Sequence, residues 1–142
     1  MAQPFSVRVL SWAEAQGAAG AIRESVFVAE QGVPAEIELD EWDAHCEHAL
    51  ACDGGGRAVG TGRLLPDGHI GRMAVLREWR GSGVGGAILA ALIDRARARG
   101  MTRVVLNAQT HAERFYSRFG FAVSGAEFME AGIPHVEMHR EL

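Results

Sequence analysis

The stretch Val75-Leu76-Arg77-Glu78-Trp79-Arg80-Gly81-Ser82-Gly83-Val84-Gly85-Gly86-Ala87-Ile88-Leu89 decides how the chain is read. An apolar run ending at Val75 has the character of a strand, and from Val84 the apolar positions 84, 88, 91 and 92 recur at helical spacing. Between them lies a loop almost free of side chains. Gly81, Gly83, Gly85 and Gly86 carry no Cβ, so the backbone can take positive φ and a ligand can come close to main-chain N–H groups. The first N–H groups of a helix have no partner within it and lie at the positive end of its dipole, which suits an anion, above all a phosphate. Arg80 adds a permanent charge with forked donors. The sequence thus predicts a phosphate cradle at a strand-to-helix junction, against the plainer alternative of a turn that only packs helix on strand.

Spacing narrows the choice of phosphate. A P-loop needs Lys-Ser or Lys-Thr after its glycines, and this chain contains no lysine at all. Gly81-Ser82-Gly83-Val84-Gly85-Gly86 fits a dinucleotide fingerprint by letter, but that fingerprint opens the first βα unit, whereas this unit comes after about half the chain.

Composition bounds the rest. The chain has 142 residues, 48% of them apolar, enough for a real core, and a single domain over residues 1–142 is expected. The formal charge is -4 and the 14 basic residues, all arginine, are dispersed, so no nucleic acid partner is expected. Met1 to Arg8 lack a basic segment followed by an apolar one, and the most apolar run, residues 84–93, is far too short to span a bilayer. No membrane partner and a cytoplasmic location are therefore expected. Cys46 and Cys52 would be reduced there. Asp40, Asp43, His45, Cys46, His48 and Cys52 have the residue types of a metal site without its spacing, and no metal is expected.

Along the chain, Val7 to Leu10 alternate as a first strand, and Ser11 with Glu14 forms a capping box for a helix running to about Glu30. Residues 35–47 are acidic and read by composition as a solvated loop. His48 to Cys52, Arg57 to Leu65 and His69 to Val75 follow as antiparallel strands, then a helix from Gly83 to Arg99 stopped by Gly100. Arg103 to Asn107 is a buried strand parallel to the one before the loop. A short helix over 112–119 and strands at 121–128 and 135–140 complete an α/β (α+β) architecture, a central mixed sheet of six to seven strands with helices on both faces.

Arg80-Gly81-Ser82-Gly83-Val84-Gly85 resembles the Arg-x-x-Gly-x-Gly pyrophosphate loop of the GNAT (GCN5-related) N-acetyltransferases. Asn107 closing the next strand and Ala112-Glu113-Arg114-Phe115-Tyr116-Ser117-Arg118-Phe119-Gly120-Phe121 resemble the family's Ala-x-x-Phe-Tyr-x-x-x-Gly-Phe segment. The stretches 27–34 and 128–135 resemble its ElaA/YjcF branch. The resemblance implies the GNAT acyl-CoA N-acyltransferase fold and acetyl-CoA as co-substrate. It further implies acetyl transfer to a primary amine of a small molecule by direct attack in a ternary complex, and a homodimer through edge strands that often pair in this fold.

By position, the main chain of Met73, Ala74 and Val75 would bond pantetheine, one N–H serving as oxyanion donor. The loop from Arg80 through Gly81, Ser82, Gly83, Val84, Gly85 and Gly86 would hold the pyrophosphate, and Asn107 would bond pantetheine or cap its strand. Tyr116, the only tyrosine, stands where the family usually keeps a general acid. Glu30, Glu38, Asp43, His111 and His135 are candidates for the base. Arg23, Phe27, Glu38-Leu39-Asp40-Glu41-Trp42-Asp43 and Arg63 also echo acyl-homoserine-lactone synthases, although the chain is markedly shorter and Val33 stands where a tryptophan is expected. If the acidic loop lines the site, its charge favours a cationic amine. A non-catalytic acyl-CoA-binding module and a lactone-synthase-like acyltransferase are the alternative readings.

Overall fold

The computed structural model describes residues 4–38 and 40–142. Residues 1–3, part of the segment read above for a leader, and Leu39 in the acidic stretch lie outside the described residues. β1 (Phe5–Ser11) leads into α1 (Trp12–Arg23), which continues as a π-helical turn over Glu24–Glu30. α2 (Ala35–Glu38) and a 3-10 turn at Glu41–His45 precede β2 (Glu47–Asp53), β3 (Ala58–Leu64) and β4 (His69–Val75). After the glycine loop come α3 (Val84–Ala98), β5 (Arg103–Gln109), α4 (Glu113–Ser117), β6 (Ala122–Val123), β7 (Phe128–Glu130) and β8 (Ile133–Glu141). The sheet order is β1-β2-β3-β4-β5-β8-β6, with β7 also on β8, and β4 with β5 is its parallel pair. Among the described residues no helix is long and apolar enough to cross a membrane.

Alternation along the strands sorts the core into two layers. Ala49 and Ala51 of β2 face the cluster built on Val84, Ile88, Leu89 and Leu92 of α3, whereas Leu50 between them joins Ala15, Ala19, Ile22 and Val26 on the other face. The helices thus cover both faces, as the pattern predicts. The capping box forms as read: Ser11 Oγ accepts the N–H of Glu14 at 3.3 Å and Glu14 Oε1 accepts that of Ser11 at 3.3 Å.

Three expectations are corrected. The strand read over 121–128 is split into β6 and β7, because Ser124 turns its Oγ to Glu137 Oε1 at 3.1 Å and Gly125 follows; the split raises the sheet to eight strands. The helix read over 112–119 is a 3-10 turn at Thr110–Ala112 followed by the five residues of α4. β8 starts at Ile133 rather than at 135, since Glu130 pairs with Ile133 across a two-residue turn.

The acidic stretch is the largest departure. Asp43 and Glu38 are 2% and 4% exposed, not solvated. Arg23, itself buried, donates to Glu38 Oε1 at 2.5 Å and to both oxygens of Asp43 at 2.8 and 3.0 Å. Arg63 bridges Asp43 Oδ1 at 2.9 Å and both oxygens of Asp40 at 2.7 and 2.8 Å. Arg72 donates to Glu38 O at 3.1 Å and to Asp40 at 3.2 Å. Three arginines and three carboxylates therefore tie the connection before β2 to α1, β3 and β4. Burial alone would raise the Asp43 pKa, yet Arg23 and Arg63 hold it below the ordinary carboxylate range, and Arg63 does the same for Asp40. His48, buried, donates Nε2–H to Asp43 O at 2.9 Å, and burial lowers its pKa.

Removing one partner of such a network strands the others in low dielectric. Asp43→Asn is expected to cost about 3–5 kcal/mol, read by urea denaturation at neutral pH. The depressed carboxylates stabilise the fold fully above their unfolded pKa of about 4 and lose that contribution as pH falls through their lower folded values. His48 adds a loss as pH falls below its unfolded value of about 6.5, so stability is expected to drop in two steps on acidification. A single step near pH 4 would deny His48 its part.

The turn between β7 and β8 sets Ala131 at φ +50° and Gly132 at φ +77°. An alanine is strained there, whereas asparagine tolerates the left-handed region. Ala131→Asn is expected to raise stability by about 0.5–1 kcal/mol in the same assay.

Candidate active site

β4 and β5 are in register only at His69 with Val105 and Ile70 with Leu106, and beyond these pairs they part. The cause lies on the opposite edge of β4. Thr61 pairs with Ala74 and Arg63 with Gly71, so β4 carries one more residue than β3 between the same rungs. Arg72 within this bulge has φ +48°. The extra residue bends β4 and sharpens its twist away from β5. A cleft of ≈ 1050 Å³ opens at the parting, lined among others by Met73, Ala74, Val75, Asn107, Tyr116 and His135. The far end of β4 stays pinned to β3, since the N–H of Leu76 donates to Val59 O at 2.9 Å. Alternation along the strand then turns the main-chain groups of Val75 and Met73 toward the gap.

The glycine loop starts on buried Trp79, whose carbonyl accepts the hydroxyl of Ser82. Gly81 and Gly83 stand at φ +78° and +91°, with open space where a Cβ would be. Gly83 is the N-cap of α3 and offers no side chain to the first turn, while Val84 after it is buried and anchors the helix. Gly85 and Gly86 also lie against the aromatic residues around α4. A Cβ on Gly86 would lie 2.7 Å from the Phe119 ring and one on Gly85 3.4 Å from Phe115. Gly81 and Gly83 thus free the backbone, and Gly86 in addition admits the Phe119 ring, whereas a Cβ on Gly85 would only touch Phe115.

Arg80, expected to face a pyrophosphate, is engaged. Its Nη1 and Nη2 donate to the two carboxylate oxygens of Glu30 at 2.6 and 2.8 Å, and its Nε donates to Val75 O at 3.0 Å. Glu30 ends the π-helical turn, whose wider winding is marked by the N–H of Gln31 reaching Val26 O at 3.0 Å. The hydrogen bond from Arg80 holds the Glu30 carboxyl below its ordinary range, which disfavours protonation while the pair lasts. Next to it, the side-chain amides of Gln31 and Gln109 exchange hydrogen bonds at 3.2 and 3.0 Å and join the helix end to the end of β5.

Tyr116 points its hydroxyl at Met73 Sδ, 3.9 Å away, so the phenol of α4 sits beside the parted edge of β4. Burial pushes its pKa up to about 12, which keeps the proton on oxygen at neutral pH. His135 is 6% exposed and lies in register with Phe128, on whose ring it stacks. Its Nδ1 is 2.7 Å from Ile133 O; a carbonyl only accepts, so Nδ1 carries the hydrogen and Nε2 is the nitrogen left to exchange a proton. Glu130 Oε2 stands 3.4 Å from Nε2. Glu130 escaped the sequence reading because its link to His135 runs across a two-residue turn that no periodicity marks. Trp42, 49% exposed on the cleft rim, also went unread.

The remaining candidates sort by their surroundings. Asn107 is exposed on β5 and His111 is exposed in the turn after it, both on the cleft wall. Glu38 and Asp43 are consumed by Arg23 and Arg63, so these two acids lend no free charge to the cleft in support of a cationic amine. The arginine and acid positions that echo lactone synthases are this buried network, which gives them a structural role. Burial also pushes the Cys46 thiol up to about 11.

An Acetyltransferase (GNAT) domain matches residues 13–142. The chain is 45% identical over 124 residues to the uncharacterised N-acetyltransferase YjcF of Bacillus subtilis, covering 84% of this chain and 88% of that one. It is 31% identical over 129 residues to protein ElaA of Escherichia coli, whose crystal structure superposes with a TM-score of 0.86 over 97% of this chain and 100% of the other. An acyl-CoA N-acyltransferase from Pseudomonas aeruginosa superposes with a TM-score of 0.85 at 29% identity, covering 96% and 99%. The chain thus belongs to the GNAT family of N-acetyltransferases, in the branch that holds YjcF and ElaA.

Proposed function

We propose that the chain transfers the acetyl group of acetyl-CoA to a primary amine of a small molecule by direct attack in a ternary complex. The observation that carries this reading is the gap between β4 and β5, which leads from an uncapped helix N-terminus to a protonated phenol. The residues present fit the co-substrate. N–H groups from Gly81 to Gly86 hold the pyrophosphate with Arg80, and Val84 seats the helix that presents them. The main-chain groups of Met73 and Val75 bond an extended amide chain as a neighbouring strand would, while Ala74 between them, expected to share in this, pairs with Thr61 of β3; Asn107 lies on the facing wall.

The co-substrate supplies an activated thioester carbonyl. A β4 N–H at Met73 or Val75 stabilises the negative charge that builds on its oxygen. The neutral amine forms the new C–N bond as the C–S bond breaks. Tyr116 gives its proton to the departing sulfur, for which a pKa above that of a thiol keeps the acid loaded. His135 Nε2 takes the proton from the acceptor's nitrogen, and Glu130 steadies the resulting imidazolium. Glu30, closer to Arg80, belongs to the donor side.

Titration of the protein with acetyl-CoA, followed by thiol release across a panel of amines, tests the reading. Binding in the micromolar range, lost in Gly83→Asp, together with amine-dependent thiol release, is the expected result; binding without turnover on a broad panel would favour a non-catalytic module. Tyr116→Phe is expected to lower kcat by about 10²-fold or more with acetyl-CoA affinity unchanged. His135→Gln is expected to lower kcat with acetyl-CoA affinity unchanged, and Glu130→Gln to lower it less; a kcat that survives in His135→Gln assigns the base elsewhere.

A further inference from the structure

The guanidinium of Arg80 already has a doubly hydrogen-bonded anion. The two oxygens of Glu30 take its Nη1 and Nη2 at 2.6 and 2.8 Å, as two oxygens of a phosphate would. The third donor, Nε, is on Val75 O at 3.0 Å, which fixes the fork at the end of β4. Glu30 is delivered by the end of the π-helical turn, and Arg77 is its next cation at 3.7 Å. Beside the pair, the amides of Gln31 and Gln109 hold that helix end to β5. One edge of a guanidinium cannot serve a carboxylate and a pyrophosphate at once.

The geometry points to Glu30 as a built-in occupant of the pyrophosphate site, a positioning residue that acyl-CoA displaces from Arg80 and that retakes Arg80 as CoA leaves. The inference rests on the reading of the glycine loop as the pyrophosphate site. Both partners lie at the surface, where water replaces a lost hydrogen bond cheaply, so the exchange costs little in either direction. Glu30 thereby weakens the hold on the donor and on the product alike. A carboxylate that merely braced the helix end would leave both affinities unmoved.

The test measures acetyl-CoA and CoA affinities by calorimetry on the wild type, Glu30→Gln, Arg80→Gln and the double variant. Glu30→Gln is expected to bind both ligands about fivefold more tightly, the worth of one well-formed exposed pair. In the Arg80→Gln background the same substitution is expected to change nothing, because the competition is gone. In turnover, Glu30→Gln should lower KM for acetyl-CoA more than it lowers kcat. Unchanged or weaker binding by Glu30→Gln overturns the exchange and leaves the loop reading standing. A gain that persists without Arg80 also overturns it, as it would report only general repulsion between Glu30 and the ligand. No CoA binding by any variant removes the pyrophosphate reading and the exchange with it.

Discussion

β4 carries one residue too many for its partner β3, and the rest of the site depends on that misfit. Arg72 absorbs it at φ +48°, a conformation that costs an L-residue free energy. The strain persists because the neighbourhood over-determines it: the Arg72 guanidinium is bound to Glu38 O and Asp40, and Leu76 is pinned to Val59. With β4 bent, only two rungs join it to β5, and main-chain groups that a regular sheet would satisfy are left facing a cleft. An edge inside a sheet is ordinarily a liability. Here it is short and opens into the cleft, which in the proposed reading makes it a place for a ligand.

The buried network of Arg23, Arg63, Arg72, Glu38, Asp40 and Asp43 bears on the same strand. Hydrophobic residues of equal volume would serve cohesion as well or better. What the charges add is direction, since a forked donor meets a carboxylate in few geometries. Arg63 from β3 and Arg72 from the bulge converge on Asp40, so the network spans the very rungs between which the extra residue sits. The connection before β2 is thereby held beside the cleft, with Glu38, Asp40 and Asp43 each paired to an arginine.

Local signals made much of this legible. Helical spacing placed α3, the run before Val75 placed β4, and the segment around Tyr116 brought that phenol to the neighbourhood of β4, where its hydroxyl meets Met73. Illegible were the features that need partners distant in sequence. Nothing in Gly71-Arg72-Met73 announces a positive φ, because the bulge is a property of the pairing with Thr61 and Arg63. Asp43 looks solvated until arginines twenty positions away on either side are folded onto it. At Gly86 the sequence shows room for a ligand but not that the Phe119 ring, 33 positions on, also needs the missing Cβ. Periodicity reports which face of an element is covered, and says little about what covers it.

α3 begins on a left-handed glycine where most helices place serine, threonine or aspartate. Relative to glycine, a side-chain oxygen at an N-cap adds only about a few tenths of a kcal/mol, and at φ +91° any side chain is strained. An acidic cap would moreover set a negative charge where, in the proposed reading, an anion arrives. In the proposed reading the co-substrate itself completes the first turn, so thermal resilience of α3 becomes a property of the complex more than of the chain. Glycine at this position therefore suits the loop's own backbone as much as an incoming ligand, and the first turn of α3 is left to be completed from outside the chain.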